Sequence, residues 1–417
     1  MREVFRVLLY YLALAALGVA VGLAAGAVCG VFGAGLNAVT SLAEKNFCLN
    51  VWFLPLAGLL TAAVFRLWDK RGCDMAGVFR AARGEAAPVP LRAAAFQFAG
   101  TWSAHLFAAS VGREGAAIQI GAAVGGNIGR NVPLDGAGRL LTVAGMAAGF
   151  SALFMTPFAA FFFALEVTVV GKLDLKAMIP SLFSVFAAYF AADCAGLSAH
   201  AFVLPELPSF NWLLLFKIFA LGAIFGLAGL FFSAMSKLMR RFFTASVKNP
   251  FVRALAAGVM LACLLYLTGG RYAGLGTSLI ETAFSGEKVY VFDWAVKILF
   301  TAATLGAGFI GGEVTTMFAA GAVLGAALAV PFGIPVELAV CLGYASLFGA
   351  ATNTLIAPIL LGGEIFGFSA APYLFVSCTA AYIFNFGRSV YVQKPSSRAF
   401  MPRRTKKSAF PLPERLY

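Results

Sequence analysis

Charge is what this chain has least of. Only 12% of its 417 residues are charged, and only 18 are acidic. A water-facing globular surface needs far more, which excludes an ordinary soluble domain. Its two histidines, His105 and His200, stand far apart. The seven cysteines (Cys29, Cys48, Cys73, Cys194, Cys263, Cys341 and Cys378) lie scattered, mostly in apolar runs, with no C-x-x-C pair. That pattern offers no metal site, no cofactor motif and no disulfide framework.

What fills the space is apolar. Hydrophobic residues make up 61% of the chain, and the mean hydropathy is +0.88. Such a composition predicts an all-α polytopic membrane protein. The 45 glycines suit helices that pack closely or break. A net charge of +13 would fit nucleic acid by number alone. Its placement in loops and in the tail fits the positive-inside rule instead, so no nucleic-acid partner is expected.

In chain order, Arg2 and Arg6 precede an apolar run from Leu8 to about Leu36. It is too long for a signal-peptide core and predicts a first span with a cytoplasmic N-terminus. A second span covers Val51–Leu67, and the basic loop after it holds Gly72-Cys73-Asp74-Met75-Ala76-Gly77. Those residues suit a solvated loop or a short re-entrant helix. From Ala93 to Gly171 the apolar pieces are shorter than the ~20 residues of a full span, which predicts broken, tilted helices. A span over Met178–Gly196 follows, and then residues 197–211, which lack Lys and Arg and read as an external linker. Trp212–Met235, Ala254–Thr268 and Trp294–Ala307 are further spans. Residues 387–417 read as a terminal helix and a basic cytoplasmic tail.

The stretch Gly112-Arg113-Glu114-Gly115 stands out because it sets ionisable groups between glycines where an apolar segment begins. Such groups at membrane depth are functional suspects. A helix starting there presents free N–H groups and a positive dipole end, which suits an anion. Glu114 equally fits a plain helix cap paired with Arg113. Glu166, inside Phe163-Ala164-Leu165-Glu166-Val167, reads as a structural carboxylate or a proton relay.

The chain also repeats. At a shift of 199, Gly112 and Glu114 meet Gly311 and Glu313. At 198, Gly145, Phe150, Thr156 and Glu166 meet Gly343, Phe348, Thr354 and Glu364. Because acids are scarce, the glutamate matches carry the weight. Two homologous halves are expected, 1–196 and 212–386, opposite in orientation, as in inverted-repeat transporters with a site at mid-bilayer.

The glycine-arginine-glutamate-glycine motif, the duplication and the Phe163–Glu166 helix end together resemble the CLC family of chloride channels and anion/proton antiporters, over about residues 1–395. In finer detail the chain resembles the fluoride/proton antiporter branch. Met75 is similar to a methionine that branch carries where chloride-type members place a serine. Gly311-Gly312-Glu313-Val314-Thr315 resembles its second-half motif, and Arg388-Ser389-Val390-Tyr391 the region of the family's central tyrosine, with Tyr382 a second candidate. Ala116, Thr316, Cys73 and Asp74 depart from the family pattern, and Val167 stands where many chloride antiporters carry a proton-relaying glutamate.

The resemblance implies a CLC-like inverted repeat with broken and re-entrant helices, working as a homodimer in the cell membrane. It implies fluoride export against protons, with Glu114 and Glu313 as gating and proton-coupling groups. Met75, Gly112, Arg113, Gly115, Gly311, Gly312, Val314, Thr315 and Tyr391 would form the anion path, and Glu166 would be structural. The alternatives are a chloride or nitrate exchanger, a passive channel and an intramembrane enzyme. No nucleophile–base set or metal motif accompanies the acids for the last. Membrane lipid is the other expected contact, including for the basic tail.

Overall fold

The computed structural model describes residues 2–67, 73–199 and 201–395. Its helices in the first half are α1 (Arg2–Lys45), α2 (Phe47–Asn50), α3 (Leu54–Leu67), α4 (Met75–Ala82), α5 (Arg92–Leu106), α6 (Glu114–Arg130), α7 (Ala137–Phe154), α8 (Pro157–Glu166) and α9 (Met178–Cys194). In the second half they are α10 (Trp212–Ser246), α11 (Pro250–Leu267), α12 (Thr277–Phe284), α13 (Asp293–Ala307), α14 (Val314–Phe332), α15 (Val336–Thr352), α16 (Ile356–Phe366) and α17 (Ala371–Phe384). Among the described residues, seven helical segments are long and apolar enough to cross a membrane. Local chemistry sets the boundaries. Asn211 and Asn249 accept hydrogen bonds from Leu214 N and Phe251 N at the starts of α10 and α11, both at 2.9 Å. Pro157 and Pro250 begin α8 and α11, where a missing N–H costs nothing.

Long and short helices run in the same order twice. α1 and α3 to α9 correspond in turn to α10 to α17. α6 packs on α7 as α14 packs on α15, and α1 packs on α9 as α10 packs on α17. Small residues make the inner seams. A Cβ on Gly121 would strike the Gly145 carbonyl, and one on Gly145 the Gly121 carbonyl. Gly321 and Gly343 stand in the same mutual relation. The backbones touch, and no side chain fits between them.

These seams correct the register read from the sequence. Gly121 and Gly321 are equivalent at a shift of 200, and so are the first residues of α6 and α14, Glu114 and Val314. Gly145 and Gly343 keep the shift of 198. The turn between α6 and α7 is longer than the turn between α14 and α15, which absorbs the difference. Glu114 is therefore matched by Val314, and Glu313 by Arg113. The two glutamates are not symmetry mates.

The described part of the stretch Gly72–Gly77, Cys73–Gly77, opens a helix: Asp74 precedes α4, and its carboxylate accepts from Gly77 N at 2.8 Å. Val78, Phe79, Ala81 and Ala82 are buried, so a solvated loop is ruled out. Gly72 lies outside the described residues. The expected terminal helix does not form over 387–395. The chain turns there and pairs back, with Val390 N donating to Ala351 O at 2.9 Å and Val170 N to Lys394 O at 3.0 Å. The basic tail beyond 395 and His200 lie outside the described residues.

Candidate functional site

The halves meet at two glycines. Gly112 N donates to Gly312 O at 2.5 Å, and Gly312 N returns the bond to Gly112 O at 2.7 Å. This two-residue antiparallel bridge joins the loops that lead into α6 and α14. Those two N–H groups serve each other, so they are not the free donors expected for an anion. Gly311 likewise packs against the Val111 side chain.

The free donors lie one step further on, and Glu114 takes them. Its carboxylate crosses to the opposite half. Oε2 accepts from Arg113 N at 3.0 Å and from Thr315 N at 3.1 Å. Oε1 accepts from the Thr315 hydroxyl. Glu114 is 1% exposed. The capping role read as an alternative is thus real, but the helix it reaches is α14 as well as its own. Arg113 stands close, its Nε 3.7 Å from Oε1, while Nη1 donates to Asn37 Oδ1 at 2.7 Å.

Other expected residues gather around this carboxylate. A Cβ on Gly115 would lie 3.7 Å from the Met75 methyl, which sets α4 beside the start of α6. Val314 is fully buried at the first turn of α14. Tyr391 is carried in by the segment that follows α17, and its ring meets Phe79 edge-on at 5.3 Å. Its buried hydroxyl has no hydrogen-bond partner among the described residues. The charges of both Glu313 and Glu114 reach that hydroxyl. Tyr382 is half-buried on α17 beside Glu166 and does not belong here.

Glu313 precedes α14 without capping it and is half-buried, and the charge of Arg240 reaches it. Glu114 and Glu313 share the Tyr391 neighbourhood but form no bond with each other. Glu166 lies elsewhere. From the end of α8 it accepts from Leu355 N at 2.5 Å, Ile356 N at 3.1 Å and Ala357 N at 3.3 Å, and so closes the start of α16. Glu364, at the end of α16, accepts from Phe158 N and Ala159 N at 2.9 and 2.8 Å and closes the start of α8. Each half caps the other.

Sequence reasoning missed three neighbours of the site. Asn37 holds Arg113 from α1. Tyr344 of α15 stacks on Phe318 at 4.2 Å, within reach of the charges of Glu114 and Arg113. Phe79 supports Tyr391. An Asn, a Tyr and a Phe inside apolar helices carry no local signal.

Known proteins share this fold. A solved structure of a CLC-type fluoride/proton antiporter is 40% identical, with a TM-score of 0.90, covering 92% of this chain and 98% of that one. A slow cyanobacterial Cl−/H+ antiporter shares the fold at 17% identity and a TM-score of 0.75, over 89% of this chain and 94% of that one. A chloride/fluoride channel protein of Pseudomonas syringae pv. tomato is 31% identical over 392 residues, 91% of this chain and 85% of its own. The family model described as voltage gated chloride channel matches residues 57–385. With two halves bridged at Gly112 and Gly312 over a buried carboxylate, this chain belongs to the CLC family of anion channels and anion/proton antiporters.

Proposed function

We propose that this protein exports fluoride in exchange for protons, with Glu114 as the gate. One observation carries the reading: the Glu114 carboxylate sits at the start of α14 on the Thr315 N–H, the Thr315 hydroxyl and the Arg113 N–H. Those are the donors a small dehydrated anion needs. Carboxylate and anion compete for one place. Protonation removes the carboxylate's charge and frees the donors, so proton uptake and anion passage are linked. Fluoride, hard and strongly hydrogen-bonding, gains most from the Thr315 hydroxyl and from a protonated carboxyl.

Glu313 serves as the second proton-handling acid, reached by way of Tyr391. Met75 shapes the path without offering a hydroxyl. Gly112, Gly115, Gly311 and Gly312 hold the backbones close, and Val314 and Arg113 line the path. Glu166 is structural. We assign the repeats to 1–196 and 212–386, and the working unit to a homodimer in the cell membrane with both termini cytoplasmic. The 40% identity to a fluoride/proton antiporter supports the choice of ion. The name of the Pseudomonas relative favours a second reading, passive conduction of chloride or fluoride.

The test is efflux from proteoliposomes read by fluoride, chloride and pH electrodes together. Fluoride release with opposing proton uptake is the expected result. Chloride release at an equal rate overturns the selectivity, and fluoride release without proton movement overturns the exchange. Glu114→Gln should abolish proton coupling; coupled transport that persists in it removes Glu114 as the gate.

A further inference from the structure

Three helices leave between them a cavity of about 430 Å³ that nothing above uses. Gly58, Ala62 and Arg66 line it from the last turns of α3, Arg253 and Ala254 from the first turn of α11, and Gly308 from the end of α13. The volume falls within the roughly 300–1,000 Å³ of small-ligand pockets. Its back wall is tight: a Cβ on Gly58 would stand 2.9 Å from Phe309 Cζ and 3.1 Å from the Ala254 methyl. Its rim is apolar. Leu56 and Leu60 of α3 and Val252 and Leu255 of α11 flank the lining residues and are each about half exposed. In a chain that crosses a bilayer such surface faces acyl chains, so lipid reaches the rim. α3 ends and α11 begins in segments rich in Arg and Lys, which sets the cavity on the cytoplasmic side.

Two guanidiniums meet this apolar hollow. Arg253 donates through Nε to Ala307 O at 3.2 Å and through Nη1 to Val247 O at 3.3 Å. Its Nη2 donates to nothing among the described residues, and a Cβ on Gly308 would lie 3.9 Å from it. Arg66 rests over the Phe251 ring, 5.6 Å from its centroid, and makes no hydrogen bond among the described residues. Phe251 and Arg253 share the first turn of α11, so both cations converge there. Neither pairs with a carboxylate among the described residues. Unpaired arginines beside apolar walls, on the basic side of a membrane protein, suit an amphiphile with an anionic head.

We propose that this cavity holds one anionic lipid of the cytoplasmic leaflet, its phosphate on Arg66 and Arg253 and an acyl chain between α3 and α11, and that the lipid braces the loop leading to the central bridge. A free phosphate leaves the apolar walls unfilled. A zwitterionic lipid brings a cation of its own to the arginines. The planar guanidinium fork matches phosphate oxygens in pairs, and the spare Arg253 Nη2 is the donor that remains for one. The bracing follows from the chain. Arg253 already holds Ala307 O at the end of α13. Gly308 then turns the backbone at φ +107°, which favours glycine. Phe309 and Ile310 follow, both buried, and lead straight into Gly311 and Gly312. A phosphate on Arg253 therefore steadies the turn from which the Gly112–Gly312 bridge hangs.

The test is lipid retention, read by native mass spectrometry on full-length protein taken from bilayers of mixed phosphatidylglycerol and phosphatidylcholine. Amide exchange over residues 308–312 is read in the same bilayers, so neither readout depends on which ion is transported. Wild type should keep one phosphatidylglycerol per subunit in preference to phosphatidylcholine, and exchange over 308–312 should be slower when phosphatidylglycerol is present. Arg66→Gln should weaken retention about fivefold, the effect of one cation at an anionic headgroup. Its melting temperature in phosphatidylcholine alone should match wild type, because Arg66 bonds nothing in the fold. Ala62→Leu fills the hollow, leaves both arginines in place and should abolish retention. Arg241→Gln is the control, since Arg241 is exposed on the same side and does not line the cavity. Equal retention of both lipids by wild type, or wild-type retention in a folded Arg66→Gln protein, overturns the site, and so does an equal loss in Arg241→Gln. Inorganic phosphate that slows exchange over 308–312 as well as the lipid does overturns the lipid as occupant. Unchanged exchange over 308–312 in wild type with and without phosphatidylglycerol overturns the bracing.

Discussion

Glycine at position 112 is required by distance. A Cβ there would stand 2.9 Å from Glu114 Oε2 and 3.1 Å from Thr315 Oγ1. Gly112→Ala should displace the carboxylate from its donors and slow coupled exchange about a hundredfold, measured in proteoliposomes against wild type. An unchanged rate would mean that the carboxylate does not work from this position. Thr315→Val keeps the shape and removes the hydroxyl. A hydrogen bond to a charged group is worth about 1.5–3 kcal/mol, or roughly ten- to a hundredfold in occupancy. The carboxylate then leaves more freely, and the variant should pass anion with fewer protons per fluoride than wild type. At this scale Glu114 was legible, because an acid between glycines in an apolar chain has few explanations. Its partners were not. Thr315 reaches it across 201 positions, and the neighbours Asn37 and Tyr344 look like ordinary residues of apolar helices.

Helix ends carry the next level of organisation. Glu166 and Glu364 each close the first turn of a helix in the opposite half, so their charge lies on a positive dipole end. Glu364→Gln keeps an acceptor and loses the charge, which should cost about 1–2 kcal/mol. It should lower the melting temperature in detergent and leave the proton stoichiometry alone; altered stoichiometry would instead mark Glu364 as part of the proton route. A third acid fastens the segment that carries Tyr391. Glu85 is bonded by Arg83 and by Lys394, both at 2.8 Å. These bonds, Arg83 first, hold its carboxyl down to about 2. The folded value lies below the unfolded value of about 4.3, so the fastening is complete above that pH and fails as the pH falls toward 2. Glu85→Gln should speed amide exchange at Val170 and Lys394 at pH 6, and the difference should shrink as the pH falls through about 2. Equal exchange at pH 6 would show that the backbone pairing holds the segment alone. Of these elements, the long helices were plain from apolar runs. α12 was not, because eight residues between two turns carry too little pattern.

At the scale of the whole molecule, the duplication is visible in the sequence, but its register is not. Matching glutamates gave a shift of 199 across α6 and α14. The backbone uses 200, because the glycines that touch along the seams decide which residues are equivalent. The consequence is chemical: with Glu114 opposite Val314 and Arg113 opposite Glu313, the two halves give the centre different groups. One brings a carboxylate and a guanidinium, and the other an N–H, a hydroxyl and a more exposed acid. A symmetric frame thus encloses an asymmetric site, and the frame itself depends on small residues in each half. That dependence is testable at equivalent places. Gly121→Ala drives a methyl into the Gly145 carbonyl, and Gly321→Ala drives one into the Gly343 carbonyl. Backbone cannot swing away as a side chain does, so each should cost about 3 kcal/mol, the upper part of the range for overpacking. The two variants should lose folded yield and melting temperature in detergent to a similar degree. Gly138→Ala is the control, since its nearest neighbour would be the Pro88 ring at 3.4 Å, an ordinary contact. Wild-type melting in Gly121→Ala would show that the seam yields easily and that something other than glycine contact fixes the register. Loss in one half without the other would show that the repeats share a plan but not the forces that hold it.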